Sequence, residues 1–305
     1  MAQTDPLPKP SKPPEQTSPS QIPADWHQAF PAGLSLEVTP RTLAKSPDLA
    51  NGFEPGTRVY IAHISGTPIR QMTDAARVLR DHGFEPMPHI PARLLSDTHE
   101  LAEWVARYEG EAGVQQALLL GGGLARPTGT LHDALQLLES GAFSNFTHLH
   151  IAGHPEGSRD IDPDGGEGQA MRALSLKAAF RERSDASMAI VTQFTFDPQA
   201  VIAWADRLRL HDVTLPVHLG VAGPAKLQTL LRYAISCGIG PSLSVLQKRA
   251  QDITKLLRPI DPGALLQTLA AHKRLDPDFP VEGIHFFPLG GIAQTAQWLA
   301  QNRKT

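Results

Sequence analysis

Met188-Ala189-Ile190-Val191-Thr192-Gln193-Phe194-Thr195-Phe196-Asp197-Pro198 decides how this chain is read. Met188 to Val191 is an apolar run with the length of a buried strand. It stops at the polar pair Thr192-Gln193, passes two aromatics and an acid, and meets Pro198, which opens a helical pattern. A strand that ends this way delivers side chains to a site at its carboxyl end, where α/β folds keep their ligands.

The same unit recurs in both directions. Strand-like segments lie at 34–38, 58–63, 84–89, 115–120, 147–152, 215–219 and 283–287, besides the opening one. Helical patterns follow at 68–82, with Gly83 as its C-cap, and at 97–108, 131–140, 170–183 and 198–208. Others lie at 224–236, 243–257, 263–273 and 292–302, with Pro224 expected in a first helical turn. Eight strands, mostly followed by a helix, predict a (β/α)8 TIM barrel. A doubly wound open sheet is the alternative, and the absence of G-x-G-x-x-G after the first strand argues against it.

The chain has 305 residues, a net charge of −3 and one cysteine. That length suits a single barrel domain over 25–305. Without basic blocks, nothing favours nucleic acid or an anionic membrane surface. No apolar run approaches the ~18–20 residues of a membrane span, and no signal peptide is visible, so a cytoplasmic protein is expected. Cys237 alone excludes an intramolecular disulfide framework and is expected to be buried. Residues 1–24 scatter seven prolines among Ser, Gln, Thr and Lys, a composition that predicts a disordered tail. Trp298 on the last helix suits either the core or the interface of a homo-oligomer.

In a barrel the carboxyl ends of the strands form one rim. In order they carry Glu37, His63, His89, Gly121-Gly122-Gly123, Gly153-His154, Gln193 with Asp197, Gly220-Val221-Ala222 and Pro288-Leu289. Glu37 shares the inward face with Ser35, and desolvation there is expected to raise its pKa for general acid work. Pairing with Arg41 is the structural alternative. The Gly-rich end could cradle a phosphate or a flavin edge, or be a plain turn. His148 and His150 share a face, but the first strand has no His, so no metal centre is expected.

Several of these stretches, in order over roughly 33–300, resemble the methylenetetrahydrofolate reductase family. Leu36-Glu37 with Pro40-Arg41 resembles its E-F-F-P-P-R, and Pro88-His89-Ile90 its P-H-L. Ala152-Gly153-His154-Pro155-Glu156-Gly157 resembles a shortened A-x-Y-P-x-x-H-P-E. Thr192 to Asp197 matches T-Q-F-F-F-D except at Thr195, and Gly283 to Phe287 resembles G-x-H-F-Y.

The resemblance implies NADH- or NADPH-dependent reduction of methylenetetrahydrofolate to methyltetrahydrofolate, with FAD relaying the hydride in most members. It implies that Glu37 is the general acid and that Gln193, Phe194 and Asp197 form the folate side. His63, His89, Gly122, Gly123, Gly153, His154, Glu156 and Lys177 would form the cofactor side. Three flavin-contact regions depart from the family: Gly123 stands where an Asp is usual, His154 where a Tyr is usual, and Lys177 fits only with a shifted register. A flavin-free or non-redox one-carbon enzyme and a non-catalytic folate-binding paralogue are the other readings.

Overall fold

The computed structural model describes residues 26–47, 49–237, 240–250 and 259–302. The expected tail at 1–24 and the last turns of the 243–257 helix lie outside them. In chain order the elements are β1 (Gly33–Val38), α1 (Pro40–Leu43), α2 (Leu49–Gly52), β2 (Arg58–Ile61), α3 (Ile69–Asp81) and β3 (Glu85–Pro91). Then come α4 (Thr98–Ala112), β4 (Gln116–Leu120), α5 (Ala134–Glu139), β5 (His148–Gly153), α6 (Gly168–Ala179) and β6 (Ser187–Thr192). The chain continues through α7 (Pro198–Leu210), β7 (Val217–Ala222), α8 (Leu227–Ser236), α9 (Gly240–Ala250), α10 (Gly263–Leu275), β8 (Val281–Phe287) and α11 (Ile292–Asn302).

All eight strands pair in parallel, in sequence order, and close into a barrel. The closure joins β1 to β8 in the register Gly33↔Gly283, Ser35↔His285. The fold is a (β/α)8 barrel, as the alternation predicted.

Local chemistry starts the helices. Asp97 accepts from the backbone N–H groups of His99 and Glu100 at 2.9 Å, capping α4, and Gly113 ends it in the left-handed conformation at φ +58°. Pro198 opens α7 and Asp197 caps it through Gln199 N at 2.9 Å.

Period two divides each strand. Outward residues such as Leu36, Ile61, Ile90, Ile151 and Ile190 join Leu79, Trp104, Val201 and Leu266 of the helices in one core. Each is fully buried or nearly so, and a truncation such as Leu36→Ala costs about 2–5 kcal/mol. Trp298 belongs to this core, 6.0 Å from both Trp26 and Phe286 by ring centroids. Gly220 marks a close approach between β6 and β7, since a Cβ there would lie 2.4 Å from the Thr192 carbonyl oxygen.

Four expectations are corrected. β2 ends at Ile61, so His63 lies beyond the strand. α8 starts at Leu227 rather than at Pro224, because Ala225 pairs with Ile260 in an antiparallel bridge. The helical pattern at 170–183 ends as α-helix at Ala179 and finishes as a 3-10 turn, Phe180–Arg183. Cys237 is exposed, because α8 ends there with its last turn on the surface.

Candidate functional site

The inside of the barrel is unusually polar for a fold whose interior is commonly filled with branched aliphatic side chains. Tyr60, Met87, Leu118 and Val191 pack together there. Around them stand buried His150, His218 and His285. The Tyr60 hydroxyl is 2.7 Å from His150 Nδ1, and the His150 and His218 rings lie 5.1 Å apart. At the floor, Arg58 Nε donates to Gln116 Oε1 at 2.7 Å, and Gln116 Nε2 donates to Glu85 Oε2 at 2.9 Å.

Burial sets the protonation of this column. It pushes the Tyr60 hydroxyl far above its usual range. It pulls the imidazoles of His150 and His285 below theirs, and that of His218 down to about 3. All three are therefore neutral at physiological pH.

Toward the mouth the column ends at Glu37. Its Oε2 lies 3.3 Å from His89 Nε2 on β3 and 3.8 Å from His285 Nε2 on β8. His89 and Glu37 keep 13% and 20% of their side-chain surface open, whereas His285 has none. Ser35 Oγ holds His285 through Nδ1 at 3.0 Å. Ser35 and Glu37 share the inward face of β1, as period two predicted, and imidazoles rather than Arg41 face the carboxylate.

The expected rise in the pKa of Glu37 is reversed. Burial does push it up, but the facing His285 and His89 imidazoles outweigh burial and hold the carboxyl at about 2. Glu37 is ionised at neutral pH.

The other rim residues do not gather around Glu37. His63 stacks on Trp104 of α4 at 4.7 Å and its Nε2 meets the Thr67 carbonyl oxygen at 2.9 Å. Gly153 faces the helix layer, where a Cβ would lie 2.5 Å from Ile190 Cγ2 and 3.2 Å from the Trp204 ring. His154 and Lys177 border a cavity of about 20 Å³ between β5 and α6, room for about one water. Burial lowers both, His154 to about 4 and Lys177 to about 8.

Glu156 is spent on architecture. Its carboxylate accepts from Thr195 Oγ1 at 2.5 Å, from Ser242 N at 2.8 Å and from the Ser242 hydroxyl, tying α9 to the end of β6. Gly122 adopts φ +92° beside Pro91, and Gly123 has open space where a Cβ would be. Arg93 pins this Gly-rich loop by donating to the Leu124 and His132 carbonyls at 3.0 Å.

On the folate side, Gln193 follows Thr192, the last residue of β6, and its Oε1 accepts from Phe194 N at 3.1 Å. Phe194 is buried under α8 and α9, 5.4 Å from Phe287. Asp197 is occupied as the α7 cap. A cavity of about 150 Å³ between the ends of β6 and β7 and the start of α10 is lined by Thr195, Phe196, Ala222 and Asp261, among others. It is smaller than the ~300 Å³ at which ligand pockets begin.

Sequence reasoning left out Tyr60 and His218, and it noted His150 and His285 without giving them a place in the site. Period two in β8 and β5 was the available signal for two of them, and His285 sits inside the G-x-H-F-F stretch. Its contact with Ser35 needs the β1–β8 closure, which no local pattern carries.

No family model matches the chain. Among solved structures it is similar to the carboxyl transferase domain of Rhizobium etli pyruvate carboxylase with 3-bromopyruvate, at 12% identity and TM-score 0.43, over 92% of this chain and 54% of that one. The same domain with 3-hydroxypyruvate gives 11% identity and TM-score 0.42 over 92% and 54%. Active domain 2 of chitinase from Pyrococcus furiosus gives 11% identity and TM-score 0.42 over 81% of this chain and 95% of that one. The chain spans about half the length of the carboxyl transferase domains it matches. Such distant likenesses carry no argument about a reaction. No helix among the described residues is long and apolar enough to cross a membrane.

Proposed function

We propose that this chain is a methylenetetrahydrofolate reductase-like oxidoreductase, reducing 5,10-methylenetetrahydrofolate to 5-methyltetrahydrofolate with NADH or NADPH. The observation that carries the reading is the Glu37–His89 pair, 3.3 Å apart and part-open at the barrel mouth. It stands where the resemblance expects the acid. Opening the folate's five-membered ring requires a proton on its nitrogen, which an ionisable pair at a barrel mouth supplies. The rest of the reaction requires stacking and orientation of the nicotinamide against the one-carbon unit. Gln193, just past the end of β6, offers an amide for the pterin edge.

The residues that the resemblance gives to FAD fit it poorly. Glu156 is committed to Ser242, His63 to Trp104, and Gly153 faces the helices. The space beside His154 and Lys177, about 20 Å³, admits neither a flavin ring nor a diphosphate. This misfit favours the flavin-free reading, with hydride passing from the nicotinamide to the folate itself. An absorption spectrum of the purified protein between about 350 and about 500 nm tests it. A stoichiometric flavin band would return FAD to the site. Its absence together with folate-dependent turnover supports direct transfer.

A further inference from the structure

Glu37 presents a difficulty for the proposed reaction. A general acid must hold a proton at working pH, and this carboxyl does not, being held at about 2 by the imidazoles that face it. The geometry offers another carrier. His89 Nε2 is buried, and Glu37 Oε2, at 3.3 Å, is the group it faces. His285, the second imidazole on that oxygen, is sealed from solvent and fixed by Ser35. An ionised Glu37 favours the His285 tautomer whose Nε2 carries the hydrogen and whose Nδ1 accepts from the Ser35 hydroxyl. His285 thus orients and stabilises the carboxylate but has no route to a ligand.

We propose that His89, as an imidazolium paired with the Glu37 carboxylate at the barrel mouth, carries the proton that the reaction delivers. The inference rests on the reductase reading for its substrate, but not for the location of the proton. Between a carboxylate and an imidazole, a shared proton rests on the more basic imidazole nitrogen. In the chemical step this proton passes from the pair to the bridging nitrogen of the folate. The carbon–nitrogen bond breaks with its electron pair going to that nitrogen, leaving an iminium at the other. Hydride from the nicotinamide reduces the iminium to the methyl group, and the pair takes up a proton from water. Between that proton transfer and its replacement from water, His89 is neutral opposite an unchanged carboxylate.

The surroundings favour His89 over its neighbours. From β1 it faces Glu37, from β8 His285, and from β2 Tyr60, whose ring centroid is 6.4 Å away. His63, past the end of β2, also feels its charge but has its Nε2 committed to Thr67. Cys237, solvent-exposed at the end of α8, still has its thiol pushed up by the protein packed on one side of it and, to a lesser degree, by the charge of Glu37, so it is no competing anion. Glu37 is the negative charge on His89, and the interior imidazoles behind it are neutral.

The test is a side-chain 1H–15N correlation spectrum of the full chain at neutral pH, with the His89 signals assigned by their loss in His89→Gln. The expected result is an imidazolium signature for His89 in the native chain and a neutral imidazole in Glu37→Gln. A neutral His89 ring in the native chain, or an imidazolium unaffected by Glu37→Gln, would overturn the proposal. Kinetics give a second arm. His89→Gln should lower kcat about 100-fold or more and abolish the fall of kcat/KM with rising pH, leaving the folate KM within about twofold. If it instead raises the nicotinamide KM and leaves kcat and the pH limb intact, His89 only binds the cofactor. A native chain with no folate-dependent turnover defeats the reductase reading, and the ring spectrum still decides where the proton lies.

Discussion

Ser35 and His285 meet across the seam where the barrel closes, Oγ to Nδ1 at 3.0 Å, as register partners of β1 and β8. The contact fixes the ring that flanks Glu37, so it links closure of the fold to the charge of the site. Ser35→Ala leaves a fully buried imidazole nitrogen without its partner, which costs about 1–3 kcal/mol. Urea unfolding measures it. A variant as stable as the native chain would mean that the hydroxyl does not hold His285.

The neutral interior imidazoles make stability depend on pH. His150, His218 and His285 have folded pKa values below the unfolded value near 6.5, so their stabilising contribution is complete above that pH and is lost as pH falls. The unfolded chain binds protons that the folded one refuses, and such a group costs about 1.4 kcal/mol per pH unit only between its unfolded and folded pKa values. For His218 this continues down to about 3. Glu37 adds a second loss between its unfolded value of 4.5 and about 2. Denaturant midpoints at pH 7, 6 and 5 should fall progressively, and His218→Phe should flatten the slope. Equal slopes in the two proteins would show that His218 is not held neutral.

Glu156 fastens α9 to the end of β6 through Ser242 and Thr195. Glu156→Ala removes the acceptor of these bonds together. Amide exchange in the first turns of α9 should quicken at least tenfold, while β1 to β5 remain protected. Uniform loss of protection across the barrel would make Glu156 a general core residue instead.

Gly220→Ala should destabilise the barrel by about 3 kcal/mol or more, because its Cβ meets backbone, the Thr192 and Gln193 carbonyls, rather than a flexible side-chain end. Gly123→Ala, in open space, should be nearly silent. Thermal unfolding of the pair separates the two positions.

The strands and most helices were legible because each carries its own signal: an apolar run such as Met188–Val191, or a helix boundary such as Gly83 or Pro198. What escaped depends on distant partners. The start of α8 is delayed by the Ala225–Ile260 bridge, and nothing near Pro224 announces it. The inward face shared by Ser35 and Glu37 followed from period two, but the charge of Glu37 did not. That charge depends on His89 and His285, which closure of the barrel delivers from two other strands. Glu156 and Asp197 read as site residues by motif and serve as fasteners in the fold. Their acceptor oxygens suit either task, and only the neighbours distinguish them.

The reductase reading is tested most directly by following oxidation of NADH and NADPH by the purified chain with methylenetetrahydrofolate, beside Glu37→Gln. The expected result is folate-dependent oxidation, with methyltetrahydrofolate as product, that falls about 100-fold or more in the variant. No oxidation of either nucleotide, or turnover that is unchanged in Glu37→Gln, would contradict it.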